Sequence, residues 1–89
     1  MNFEKNWILQ IDPVVYKFLK KIPRHDAGRI LIVIESLPKN PFFGDIQKMK
    51  GEKDTWRRRI GAFRIFYEMI AAEKTIHAYK VERRGSKTY

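Results

Sequence analysis

The segment from Trp56 to Tyr67, WRRRIGAFRIFY, constrains the fold of this chain more than any other stretch. Four arginines sit among the strand formers Trp, Ile, Phe and Tyr on both sides of Gly61-Ala62, so it reads as two strands joined by a two-residue loop. Such a loop pairs Ile60 with Phe63, Arg59 with Arg64, Arg58 with Ile65, Arg57 with Phe66 and Trp56 with Tyr67. Alternation then sorts the ribbon by face. Trp56, Arg58, Ile60, Phe63, Ile65 and Tyr67 share a mostly apolar face, while Arg57, Arg59, Arg64, Phe66 and Glu68 share the other. Three guanidiniums on one sheet face repel each other, and a polyanion is the occupant that relieves them.

The charge of the whole chain follows the same bias. Residues 1–47 carry seven Lys/Arg against five Asp/Glu, whereas residues 48–89 carry twelve against five, so most of the net +9 lies on the second half. Clustering of cations on strands points to a phosphate-binding face. The absence of cysteine excludes a disulfide framework, a thiolate nucleophile and a cysteine metal site, and makes the cytoplasm the expected compartment. His25 and His77 belong to no motif, so they read as structural or surface residues, and neither a metal nor a cofactor is expected. The longest apolar run, Ile30 to Ile34, is five residues and MNFEKNW is no signal peptide, so no membrane segment is expected. With 89 residues, the expectation is one domain, 1–89.

The remaining elements follow from punctuation. Residues 3 to 11, FEKNWILQI, are strand formers, and Asp12-Pro13 opens a helix with Asp as N-cap and Pro at its first position. That helix is predicted to run to about Lys21, with Val14, Phe18 and Ile22 forming an apolar stripe beside Val15 and Leu19. A second helix from Arg24 or Asp26 to Ser36 aligns Ala27, Ile30, Leu31, Ile34 and Leu37, and two prolines, Pro38 and Pro41, close it. Ile46 to Lys50 is a short strand, Gly51 to Asp54 a turn, and Thr75 to Glu82 a last strand after the hairpin. The fold class is therefore α+β in the order β-α-α-β-β-β-β, two N-terminal helices packed on a mainly antiparallel twisted sheet. Trp7 and Trp56 read as core aromatics, and Arg58, on the apolar face, as a packing or ion-pair residue.

Several of these segments together resemble the RelE/ParE superfamily of toxins, and the C-terminal half resembles its RelE branch. They are LKKIP (Leu19 to Pro23), ESLPKNP (Glu35 to Pro41), KMKG (Lys48 to Gly51), RRIGAFRIFYE (Arg58 to Glu68) and VERRGSKTY (Val81 to Tyr89), in family order across nearly the whole chain. The resemblance implies a RelE-like, microbial-ribonuclease-like fold and a toxin that cuts mRNA in the ribosomal A site. It implies two partners, the ribosome with its mRNA and an acidic RelB-like antitoxin, with a monomeric free toxin and a hetero-oligomeric complex. Carried over by position, it makes Arg57, Arg64, Arg83 and Tyr89 the catalytic candidates, with Lys48, Lys50, Lys53, Arg59, Arg84 and Lys87 as RNA-binding cations. Two positions depart from the pattern. Ala62 stands where the family has a turn aspartate, and Thr55 where it often has a base, so Lys50, Lys53 or Arg59 must supply that charge.

Side-chain chemistry agrees with such a role. Cutting RNA through its own 2′-hydroxyl needs a base, cations around the developing phosphorane and an acid at the 5′-oxygen. Arginine forks suit the second task, and a phenol such as Tyr89, weakly acidic at about pH 10 in water, becomes a better proton acceptor beside guanidiniums. Two alternatives remain: a ParE-like poison of DNA gyrase, which would share the fold although such proteins generally lack the basic and tyrosine cluster, and a basic module that binds RNA without cutting it.

Overall fold

The computed structural model describes residues 7–51 and 54–84. Its elements are β1 (Ile8–Ile11), α1 (Pro13–Leu19), α2 (Arg24–Ser36), β2 (Ile46–Lys48), β3 (Thr55–Ile60), β4 (Phe63–Ile70) and β5 (Thr75–Arg83). The order is the one expected from the sequence. The strands form one sheet in the order β1-β5-β4-β3-β2, with β1 parallel to β5 and every other pair antiparallel.

Local chemistry sets the helix boundaries. The Asp12 carboxylate accepts the Val14 N–H at 2.9 Å and Pro13 follows at the first helical position. α1 stops at Leu19, earlier than the expected Lys21, as Lys21 N–H turns to the Phe18 carbonyl at 2.9 Å. So short a helix presents one line of residues to the sheet. Val15 and Leu19 occupy it, while Val14, about 100° round the axis, is 50% exposed and not part of the buried stripe. On α2, Ile30 and Ile34 are buried as expected, and Leu37 just past its end joins them.

These helix residues pack on Phe63, Ile65, Tyr67 and Met69 of β4 and Ile76, Ala78 and Val81 of β5. Among the described residues the helices therefore cover one face of the sheet and leave the other open. The hairpin register matches the sequence reading pair for pair, from Trp56 opposite Tyr67 to Ile60 opposite Phe63. Gly61 takes φ +57° at the first loop position, the site where a tight hairpin turn demands glycine. Tyr67 is fully buried, and its hydroxyl donates to the Pro41 carbonyl at 2.5 Å, tying the loop after α2 to the sheet. Burial pushes its phenol up to about 12, against a smaller opposing pull from the Arg58 charge.

Three strand limits differ from expectation. β1 begins at Ile8, with residues 1–6 outside the described residues. β2 ends at Lys48 as the chain approaches Gly51, whose φ of +78° breaks the extended run. β5 continues to Arg83.

The sheet also holds an irregularity that sequence reading did not anticipate. Phe66 pairs with Lys80 but Tyr67 pairs with Ala78, so Tyr79 is a surplus residue in β5. The bulge inverts the alternation of the strand. Ile76 and Ala78 face the core before it and Val81 after it, which sends Glu82 to the open face and Arg83 to the helix-covered one.

Candidate functional site

The open face concentrates its charge where β2, β3 and β4 meet. A shallow concavity there is lined by Asp45, Gln47, Arg57, Arg59 and Arg64. Arg57 and Arg59 lie two apart on β3, and Arg64 stands directly opposite Arg59 across the hairpin. Like charges so placed destabilise a sheet unless something offsets them. Each arginine here has an acceptor. Arg57 Nη2 donates to Gln47 Oε1 at 2.6 Å, Arg59 Nε lies 3.5 Å from Asp45 Oδ2, and Arg64 Nη1 lies 3.5 Å from Glu82 Oε2. Glu82 also meets Lys80 Nζ at 3.5 Å through its other oxygen.

These contacts orient the guanidiniums without sequestering them. The Arg59 and Arg64 side chains are 53% and 30% exposed, so an incoming phosphate competes with partly solvated carboxylates. Asp45, Gln47 and Glu82 are the members that sequence reading missed. The signal for the first two was present, because Asp45 and Gln47 alternate about Ile46 and so face the same way as Arg57 and Arg59.

The structure does not bring every candidate to this place. Arg83 sits on the helix-covered side with its guanidinium carbon 4.9 Å from the Phe63 ring centroid, so the expected convergence with Arg57 and Arg64 is corrected. The bulge at Tyr79 is the reason, since unbroken alternation from Ala78 would have turned Arg83 to the open face. Arg84 is held by its backbone N–H on the Ala62 carbonyl at 2.6 Å. Lys48 pairs with Trp56 and so falls on the face away from Arg57, while exposed Lys50 lies beyond β2. Lys53, Lys87 and Tyr89 lie outside the described residues. Arg58 packs as expected, its guanidinium carbon 5.8 Å from the Phe43 ring centroid.

His25 is exposed at the start of α2. His77 is better held: its Nδ1 is 3.2 Å from Glu68 Oε1 and its Nε2 3.9 Å from Asp12 Oδ2. Among the described residues no cluster of His, Cys, Asp and Glu could hold a metal ion, and no helix is long and apolar enough to cross a membrane.

No family model matches the chain. A curated protein of Methanocaldococcus jannaschii, "Putative toxin RelE1", is 33% identical over 79 residues, covering 85% of this chain and 88% of the relative. The chain belongs to the RelE toxin family. A RelE from Pyrococcus horikoshii, solved as a RelE–RelB complex, matches this RelE chain with a TM-score of 0.78 at 26% identity, covering 92% of it and 99% of the neighbour. The RelB–RelE complex of Methanococcus jannaschii matches with a TM-score of 0.70 at 29% identity, covering 84% of this chain and 90% of the neighbour. The isolated RelE toxin of E. coli shares the fold at 14% identity, with a TM-score of 0.75 over 91% of this chain and 87% of its own. The RelE fold therefore frames the arginine concavity.

Proposed function

We propose that this RelE toxin is a ribosome-dependent mRNA endonuclease, silenced by an acidic RelB-like antitoxin and acting in the cytoplasm. The observation that carries the reading is the gathering of Arg57, Arg59 and Arg64 around one open concavity. A tripod of guanidiniums fits a phosphodiester whose charge grows as the 2′-oxygen attacks phosphorus. In this scheme the 2′-hydroxyl forms the new P–O bond, the 5′-oxygen leaves with a proton, and no metal is required. Arg57 and Arg64 hold the non-bridging oxygens, and Arg59 steadies the neighbouring backbone. Tyr89, assigned from the family resemblance, serves as the base that takes the 2′-proton. Arg83 keeps only a rim role on the flanking nucleic acid, as it leaves the sheet on the other side.

Partners follow from charge. The P. horikoshii and M. jannaschii relatives are described as complexes with RelB, which supports a cognate antitoxin here. A net charge of +9 favours an acidic segment that folds on binding and covers the cationic face. The free toxin is proposed to be a monomer that enters the ribosome.

Primer extension on an mRNA in a purified translation reaction tests the reading. Cuts at codon positions that need ribosomes and fall about 10²- to 10³-fold with Arg64→Ala are expected. Intact mRNA beside gyrase-dependent double-strand DNA breaks would replace this function with the ParE-like one.

A further inference from the structure

The open face continues past the arginines into a strip of different chemistry. Phe66 lies two residues from Arg64 on β4, about 7 Å along the strand, a step comparable to one nucleotide. The bulge presents both Tyr79 and Lys80 beside it. The Tyr79 ring lies 6.3 Å from Phe66 and 6.2 Å from His77, tilted 45° to each, and Lys80 Nζ lies 4.8 Å from the Phe66 ring centroid. Phe66 itself is buried beneath this layer, whereas Tyr79 and His77 remain half-buried.

Acidic groups fix the far end. The Asp12 carboxylate is occupied on one oxygen by the Val14 N–H and faces His77 Nε2 with the other. The opposite ring nitrogen of His77 meets Glu68 through Oε1 alone, and a carboxylate has a second oxygen to offer. Glu68 is 39% exposed, so a ligand reaches it. An aromatic ring flanked by a lysine on one side and an oriented carboxylate on the other is the equipment for a nucleobase. The ring stacks the base, the lysine meets its phosphate, and the carboxylate accepts from an exocyclic amine.

We infer that Tyr79, His77 and Glu68 form a base-binding subsite for a single-stranded RNA nucleotide next to the one held by Arg57 and Arg64, favouring adenine or cytosine over uracil. The subsite deepens the RNA-cleaving reading and rests on it. Its chemical logic is discrimination by the carboxylate: adenine and cytosine carry an amine that donates to Glu68, while uracil offers a carbonyl in its place and is repelled. Tyr79 and Glu68 are specificity residues, and His77 is a positioning residue that aims the carboxylate.

Fluorescence anisotropy with short labelled oligoribonucleotides of oligo(A), oligo(C) or oligo(U), using the free toxin, tests the subsite apart from cleavage. Wild type is expected to bind oligo(A) and oligo(C) more tightly than oligo(U). Tyr79→Ala should weaken oligo(A) binding about tenfold, with Tyr79→Phe restoring it, because one stacked base is lost and then regained. Glu68→Gln should erase the base preference while leaving oligo(U) binding the same or tighter. Arg64→Ala should weaken all three oligomers alike, since phosphate contacts carry no base information. Unchanged affinity and preference in both Tyr79→Ala and Glu68→Gln, with circular dichroism showing them folded, overturns the subsite. So does the result that these substitutions weaken only antitoxin binding. If instead the preference behaves as expected but Arg64→Ala binds normally, the subsite stands and the arginine reading fails.

Discussion

Glu82 stands opposite Arg64 across the β4–β5 ladder, with its carboxylate 3.5 Å from the guanidinium. The same carboxylate reaches Lys80, so one acidic side chain restrains two cations of the open face. Glu82→Gln should free both. Because the pair is partly exposed, the expected gain in affinity for single-stranded RNA is about two- to fivefold, with little change in stability. Anisotropy titrations at low and high salt would register it, and the advantage should shrink as salt rises.

The face assignment makes a second prediction. Arg59→Ala removes a charge from the concavity, whereas Arg83→Ala removes one from the rim on the other side of the sheet. Arg59→Ala should lower ribosome-dependent cleavage at least tenfold more than Arg83→Ala does. Equal losses, measured by primer extension at matched toxin concentration, would put Arg83 at the phosphate.

Tyr67 yields a pH prediction. Its folded-state pKa of about 12 lies above the ordinary phenol value near 10, so the neutral form is the one the fold stabilises. The contribution is complete below pH 10 and is lost as pH climbs through 12. Urea midpoints should therefore fall more steeply between pH 10 and 12 for wild type than for Tyr67→Phe. At neutral pH the same substitution strands the buried Pro41 carbonyl and should cost about 1–3 kcal/mol.

Gly44 has φ +91°, and a Cβ added there would run into the Arg58 guanidinium. Gly44→Ala should destabilise the protein by about 1–3 kcal/mol from backbone strain. Shortening the obstructing side chain in Gly44→Ala/Arg58→Ala would relieve the collision and leave the strain, so thermal melting of the pair separates the two effects.

Much of this architecture is written locally in the chain. The hairpin register could be read residue by residue because Gly61 marks the turn and fixes which residue of each strand stands opposite which. Asp12-Pro13 likewise announces the start of α1 at the correct residue. The concavity was legible as arginines on one face, and Asp45 and Gln47 carried a signal beside them, but Glu82 did not, because it owes its position to a register shift that no glycine or proline signals. The position of Arg83 was obscured by the same shift. In the sequence, Arg83 and Arg84 are chemically equal neighbours, and only long-range pairing with β4 decides which side each one takes.

The extra residue at Tyr79 is thus a phase slip in the charge map of the toxin. Straightening the strand with Tyr79 retained would keep every ionic group yet swap their sides, pressing Glu82 toward the hydrophobic interior and turning Arg83 to the face that carries Arg64. A change that alters no charge at all would rewrite the electrostatic surface more thoroughly than the loss of any one arginine.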